Sequence, residues 1–69
     1  MTRYGLIIYW SKEDDSFVVE VPELPGCMAD GHTYAEAVAN AEVVIDEWVE
    51  TVRKLGRPIP EPRGKLAYA

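Results

Sequence analysis

The chain holds one thiol and one imidazole, Cys27 and His32, five residues apart, a spacing that invites the question of a Cys-His nucleophile. Side-chain alternation along an extended segment sends positions 27 and 32 to opposite faces, and no third group stands by to orient the imidazole. The pair reads as a half-buried small thiol and a histidine at the start of a helix. Carboxylates are the other candidates. Asp14 with Asp15, and Asp46 with Glu47 and Glu50, are acidic groupings of the kind that bind magnesium in nucleases. Asp14 and Asp15 fall in a polar run with turn character, while Asp46 and Glu50 lie four apart on the wet side of a helix and repel each other in solvent. No further strands are available to make several carboxylates converge. The reading is of a protein that is not an enzyme and needs no metal or cofactor.

Charge says more. The 69 residues carry a net charge of −5, but residues 13 to 50 contain eleven carboxylates and no Lys or Arg. Five of the seven cations (Arg53, Lys54, Arg57, Arg63 and Lys65) follow residue 50, opposed only by Glu61. An acidic centre repels phosphate backbones and attracts basic proteins, which argues against nucleic acid as its direct partner. Weak nucleic-acid binding would require an oligomer to pool the cationic residues of several tails. No apolar run approaches the ~20 residues that cross a bilayer, and no secretory signal precedes Tyr4, so a cytoplasmic protein is expected. A hydrophobic content of 48% excludes a disordered chain, and a single cysteine excludes an intrachain disulfide. A domain this small sits near the limit at which one core sustains itself, so a homo-oligomer, dimer or tetramer, is expected.

The elements follow from patterning. Tyr4 to Trp10 is β-branched and aromatic and leads into the polar run Ser11 to Ser16, a strand and a hairpin turn. Phe17 to Val21 returns as the second strand, with Glu20 marking the wet face. Cys27 to Gly31 is a short third strand. From Tyr34 to Leu55, Tyr34, Val38, Ala41, Ile45, Trp48, Val52 and Leu55 recur at alternating intervals of four and three, the stripe of one amphipathic helix. Thr33 and Glu36 form a capping box, in which Thr33 accepts from the Glu36 amide and Glu36 reaches back to the Thr33 amide. Gly56 supplies a left-handed stop. Such a helix spans about 33 Å, whereas strands of five to seven residues reach about 17 to 23 Å. Its second half, with Trp48, Val49 and Val52, is expected to overhang the sheet and bury itself against a second subunit. Residues 1–56 form the domain and 57–69 a proline-rich extended tail, whose Leu66 and Tyr68 would lie in a short final strand able to reach either its own sheet edge or that of a neighbouring subunit, where they would be oligomer contacts. The fold class is α+β: a three-stranded antiparallel meander followed by one long helix, β-β-β-α, with room for a short C-terminal strand.

Between the second strand and the helix stands Val21-Pro22-Glu23-Leu24-Pro25-Gly26-Cys27, followed by Gly31, Thr33, Glu36, Ala37, Asn40 and Ala41. Two prolines with fixed φ force an ordered corner, and Gly26 turns it. This succession resembles the HicB-like antitoxins, small partners of mRNA-cleaving toxins, over roughly Tyr4 to Pro62. His32 stands where that family usually has Asp, and the chain stops before the DNA-binding segment that many full antitoxins append. The resemblance implies neutralisation of a small basic HicA-type RNase by occlusion of its RNA or active-site surface. It does not carry over operator binding. The order of elements matches double-stranded RNA-binding domains and part of the RNase H-like fold, but the helix starts without the Lys and Arg that RNA contacts need. The contact residues expected for the toxin are Glu13, Asp14 and Asp15 in the hairpin, Glu23 and Leu24 in the proline corner, and Asp30 in the third strand. The competing reading is an orphan structural module that keeps the scaffold without a toxin.

Overall fold

The computed structural model describes residues 2–63. Its elements are β1 (Ile7–Ser11), β2 (Ser16–Glu20), β3 (Met28–Gly31) and α1 (Tyr34–Lys54), in the β-β-β-α order that the patterning predicts. The strands form one antiparallel sheet in the order β1-β2-β3. Its register pairs Tyr9 with Val18 and Val18 with Asp30, and pairs Trp10 with Phe17 and Phe17 with Gly31. By alternation, Ile8, Trp10, Phe17, Val19, Ala29 and Gly31 face α1, and Ile7, Tyr9, Val18, Glu20, Met28 and Asp30 face away. β1 begins at Ile7, later than the expected Tyr4. The preceding residues do not pair, and Tyr4 and Leu6 pack into the core instead.

Thr33 caps α1, its hydroxyl accepting from the Glu36 amide at 3.1 Å. The reciprocal arm of the expected box falls one residue earlier: Glu36 Oε1 accepts from the His32 amide at 3.2 Å. At the other end Gly56, at φ 71°, donates to Arg53, and Arg57 donates to Val52, the paired bonds that satisfy the last carbonyls of a helix.

The helix and sheet enclose a wedge. At its narrow end Val19 packs against Ala37 and Ala41. A Cβ at Gly31 would come within 2.5 Å of the Ala37 amide nitrogen, so only glycine permits this approach. At its wide end the residues are larger: Val21, Leu24, Cys27 and Ile45 are buried together, with Tyr4, Leu6, Val44, Trp48 and Val49 packed around them. The proline corner, and not the sheet, fills the space under the second half of α1. The overhang predicted from element lengths is therefore largely covered within the chain.

Candidate protein-binding face

The connection from β2 to β3 consists of two successive tight turns, each with proline at its second position. Leu24 donates to the Val21 carbonyl at 3.0 Å, Cys27 donates to Leu24 at 2.9 Å, and Val21 donates to Cys27 at 3.0 Å, closing the loop. Gly26 takes φ 78° at the third position of the second turn, where a side chain would be strained. Trp48 Nε1 ties the helix to this elbow through the Pro25 carbonyl at 3.0 Å. Leu24, expected on the contact surface, is 0% exposed; it anchors the elbow from beneath and offers no atom to a partner. Glu23 is half-buried. Its Oε1 accepts from the Arg63 amide at 2.9 Å, and its Oε2 is buried without a donor among the described residues. The segment 57–63 thus lies back along the elbow, with the Tyr4 hydroxyl donating to the Pro60 carbonyl. Burial, followed by the charges of Glu23 and Glu61, pushes the Tyr4 phenol above its ordinary pKa.

The hairpin is built differently. Lys12, Glu13, Asp14 and Asp15 are all exposed, and among the described residues the loop's side-chain hydrogen bonds join Ser11 and Asp14, the Ser11 hydroxyl donating to Asp14 Oδ2 at 2.9 Å and accepting from the Asp14 amide at 3.3 Å. Asp15 closes the turn at φ 51°, a conformation that Asp tolerates better than branched residues. Asp30 is exposed on the outward face of the sheet.

Between these carboxylates lies a surface that the sequence reading did not single out. The outward face of the sheet bears Tyr9 (42% exposed) and Met28 (50% exposed), with Ile7 half-buried and Val18 in the middle strand shielded to 7% by its neighbours. Beside Ile7, Glu20 and Met28 a shallow depression runs to Pro22, Pro25 and Gly26 of the elbow. Apolar Tyr9, Val18 and Met28 share this face with Glu20, which stands on the central strand between Ile7 and Met28, and with Asp30, across from Val18 on β3, a mix of apolar area and carboxylates that suits a basic protein partner. The signal for it lies in the unbroken apolar runs Leu6 to Trp10 and Phe17 to Val19, which lack the alternation of a strand wet on one side.

The remaining sequence candidates do not converge. Cys27 is buried in the elbow core, and that burial pushes its thiol pKa up, whereas His32 is exposed. Asp46, Glu47 and Glu50 are exposed along α1, with Glu50 paired to Arg53 at 3.0 Å. Of the expected oligomer contacts, Trp48 and Val49 serve the wide end of the core and Val52 is half-buried beside them; Leu66 and Tyr68 lie outside the described residues. Among the described residues, no helix is long and apolar enough to cross a membrane.

A family model described as HicB_like antitoxin of bacterial toxin-antitoxin system matches residues 4–68. A UPF0150 protein of Synechocystis sp. is 34% identical over 65 residues, 94% of this chain and 88% of that protein. A UPF0150 protein of Thermoplasma acidophilum is 40% identical over 58 residues, 84% of this chain and 83% of that protein. An uncharacterised 14.9 kDa protein from the rep-hol intergenic region of Haemophilus phage HP1 is 36% identical over 50 residues, 72% of this chain and 38% of that protein. No solved structure matches.

Proposed function

Since the chain belongs to the HicB-like antitoxin family of bacterial toxin-antitoxin systems, we propose that it neutralises a small basic mRNA-cleaving toxin of the HicA type by covering the toxin's RNA-binding or active-site surface. An enzyme that cleaves RNA must hold phosphates with cationic side chains, and a protein that presents carboxylates to those side chains competes for the same surface. The observation that carries this reading is the outward face of the sheet, which sets apolar side chains beside carboxylates. Tyr9, Met28 and the depression beside Ile7 supply apolar area to be buried at the centre, while Asp30, Glu20 and the hairpin acids Glu13, Asp14 and Asp15 steer a basic partner into register. Glu23 and Leu24 act indirectly, by holding the elbow against which that face ends. The protein performs no reaction in this reading; it acts by occupancy alone.

The test is the association rate with a purified HicA-type toxin, measured by stopped flow or surface plasmon resonance at two salt concentrations. A variant carrying Glu13→Lys, Asp14→Lys and Asp30→Lys is expected to associate at least about tenfold more slowly at low salt and to lose most of its salt dependence, since rim charges act mainly on encounter. An unchanged rate with an unchanged salt slope would remove the hairpin and Asp30 from the contact.

A further inference from the structure

Three aromatic rings form a row across the inner side of the sheet at its hairpin end. Trp10 on β1 and Phe17 on β2 are direct ladder partners, one rung from the Ser11–Ser16 pair that the loop closes. Their ring centroids lie 5.0 Å apart at an interplanar angle of 73°. Tyr34, the first residue of α1, continues the row, its ring stacked on Phe17 at 4.2 Å and 29°. Phe17 is half-buried and packs on the narrow end of the core. The rings at the two ends of the row are not buried: Trp10 is 47% exposed and Tyr34 59%. Large aromatics held at fixed angles with half their surface in water mark a place where a partner gains by covering them. Tyr9 and Met28, on which the reading above was built, face the other side of the sheet.

We propose that this row is a docking site for an arginine side chain of a basic protein, the guanidinium stacked on the Trp10 indole with its N–H edge turned to Glu13 and Asp15. The inference rests on the reading above for the identity of that protein, the toxin, and on the rings and the loop for the site itself. Charge selects the occupant. The loop beyond Trp10 holds Glu13, Asp14 and Asp15 against Lys12. Asp14 is tied to Ser11 within the loop, which makes Glu13 and Asp15 the acceptors for a ligand. A nucleobase would stack equally well, but a platform for nucleic acid needs cations for the phosphates, and residues 13 to 50 contain none. An uncharged side chain would cover the rings and strip water from the carboxylates without replacing its hydrogen bonds. A lysine ammonium would satisfy the carboxylates but brings no flat face to the indole. A guanidinium does both at once. Because Phe17 stands edge-on to Trp10 and is itself backed by Tyr34, little ordering is left for binding to impose.

The two tryptophans make the test direct, because Trp10 lies in the row while the Trp48 indole N–H is committed to the Pro25 carbonyl at 3.0 Å. In proton–nitrogen correlation spectra, a tetra-arginine peptide is expected to move the Trp10 indole signal saturably and to leave that of Trp48 in place. It should bind at least about threefold more tightly than tetra-lysine, which carries the same charge. Trp10→Leu, followed on the Glu13 and Asp15 amides, is expected to abolish that preference while still melting cooperatively, and Trp10→Phe to keep part of it. Glu13→Gln together with Asp15→Asn is expected to weaken both peptides alike. An unmoved Trp10 signal, equal affinity for the two peptides, or a preference that survives Trp10→Leu would each overturn the proposal. A purified HicA-type toxin separates this inference from the reading it rests on. Toxin that binds and leaves Trp10 unmoved would overturn the arginine contact and spare the proposed function, whereas arginine preference at Trp10 without toxin binding would sustain the site and remove the toxin as its partner.

Discussion

The elbow between β2 and β3 and the hairpin loop between β1 and β2 both carry carboxylates that sequence marks as contact candidates, yet only the hairpin has carboxylates to spare. In the elbow the fold engages the Val21, Leu24 and Cys27 backbone in two turns, the Pro25 carbonyl through Trp48, and one oxygen of Glu23 through the Arg63 amide. In the hairpin Glu13, Asp14 and Asp15 remain exposed, and the loop contributes nothing to either core cluster. A partner that needs a rigid support and a steering charge finds the first in the elbow and the second in the hairpin. One connection builds the domain and the other addresses what it binds.

The sharpest way to break this comparison is to truncate one residue in each loop. Leu24→Ala removes a side chain with 0% exposure from the centre of the wide core and is expected to cost about 2–5 kcal/mol, read as a fall in melting temperature or denaturation midpoint. In a domain of this size that loss approaches the whole of its stability. Asp15→Asn, which keeps the left-handed turn conformation and removes only an exposed charge, is expected to stay within about 0.5 kcal/mol of the wild type. Equal effects at both sites would erase the distinction between the two loops.

A smaller effect isolates the link between elbow and helix. Trp48→Phe keeps most of the apolar contact at the wide end and deletes the Nε1 bond to the Pro25 carbonyl, for an expected cost of about 1 kcal/mol. Because Pro25 is exposed, water can take up the vacated carbonyl, which keeps the cost low. The same substitution should leave the association rate with a toxin unchanged, since no charge is altered. A large loss of rate with little loss of stability would mean that the elbow addresses the partner directly.

The elements were legible because each rests on a local rule. The four-three spacing from Tyr34 to Leu55, the Thr33 cap, the stop at Gly56 and the two prolines of the elbow all act within a few residues, and α1 and the three strands appear in the predicted order, with β2 shifted by one residue, β3 starting one residue late and β1 starting three residues late. What escaped the sequence depends on how elements pack. Leu24 lies in a loop between two prolines and looks like a turn-tip residue; only the wedge opened by Gly31 and Ala37 at the far end creates the space that it fills. The same wedge engages Trp48 and Val49, which element lengths alone left unpartnered. The candidate face was half legible: Asp30 and the hairpin acids could be named from charge, whereas the apolar centre around Tyr9, Val18 and Met28 required the strand register.

Alkaline pH perturbs the elbow side without touching the hairpin. The Cys27 thiol is pushed above its ordinary pKa by burial, and the Tyr4 phenol is raised by burial and then by Glu23 and Glu61. Both groups hold their protons more tightly in the folded state than in the unfolded one. Their contribution is therefore fully present below the unfolded values, about 8.5 for a thiol and about 10 for a phenol, and is lost as pH rises through the folded ones. Melting temperature is expected to be flat near neutrality and to fall first where unfolded cysteine ionises, then again where unfolded tyrosine does. Cys27→Ala should remove the first step and Tyr4→Phe the second. The loop Ser11–Ser16 contains neither thiol nor phenol, so its charge variants should shift the whole curve without changing its shape. If Glu13→Lys instead abolished the alkaline steps, the hairpin would be coupled to the core, and the division of labour between the two loops would fail at its physical basis.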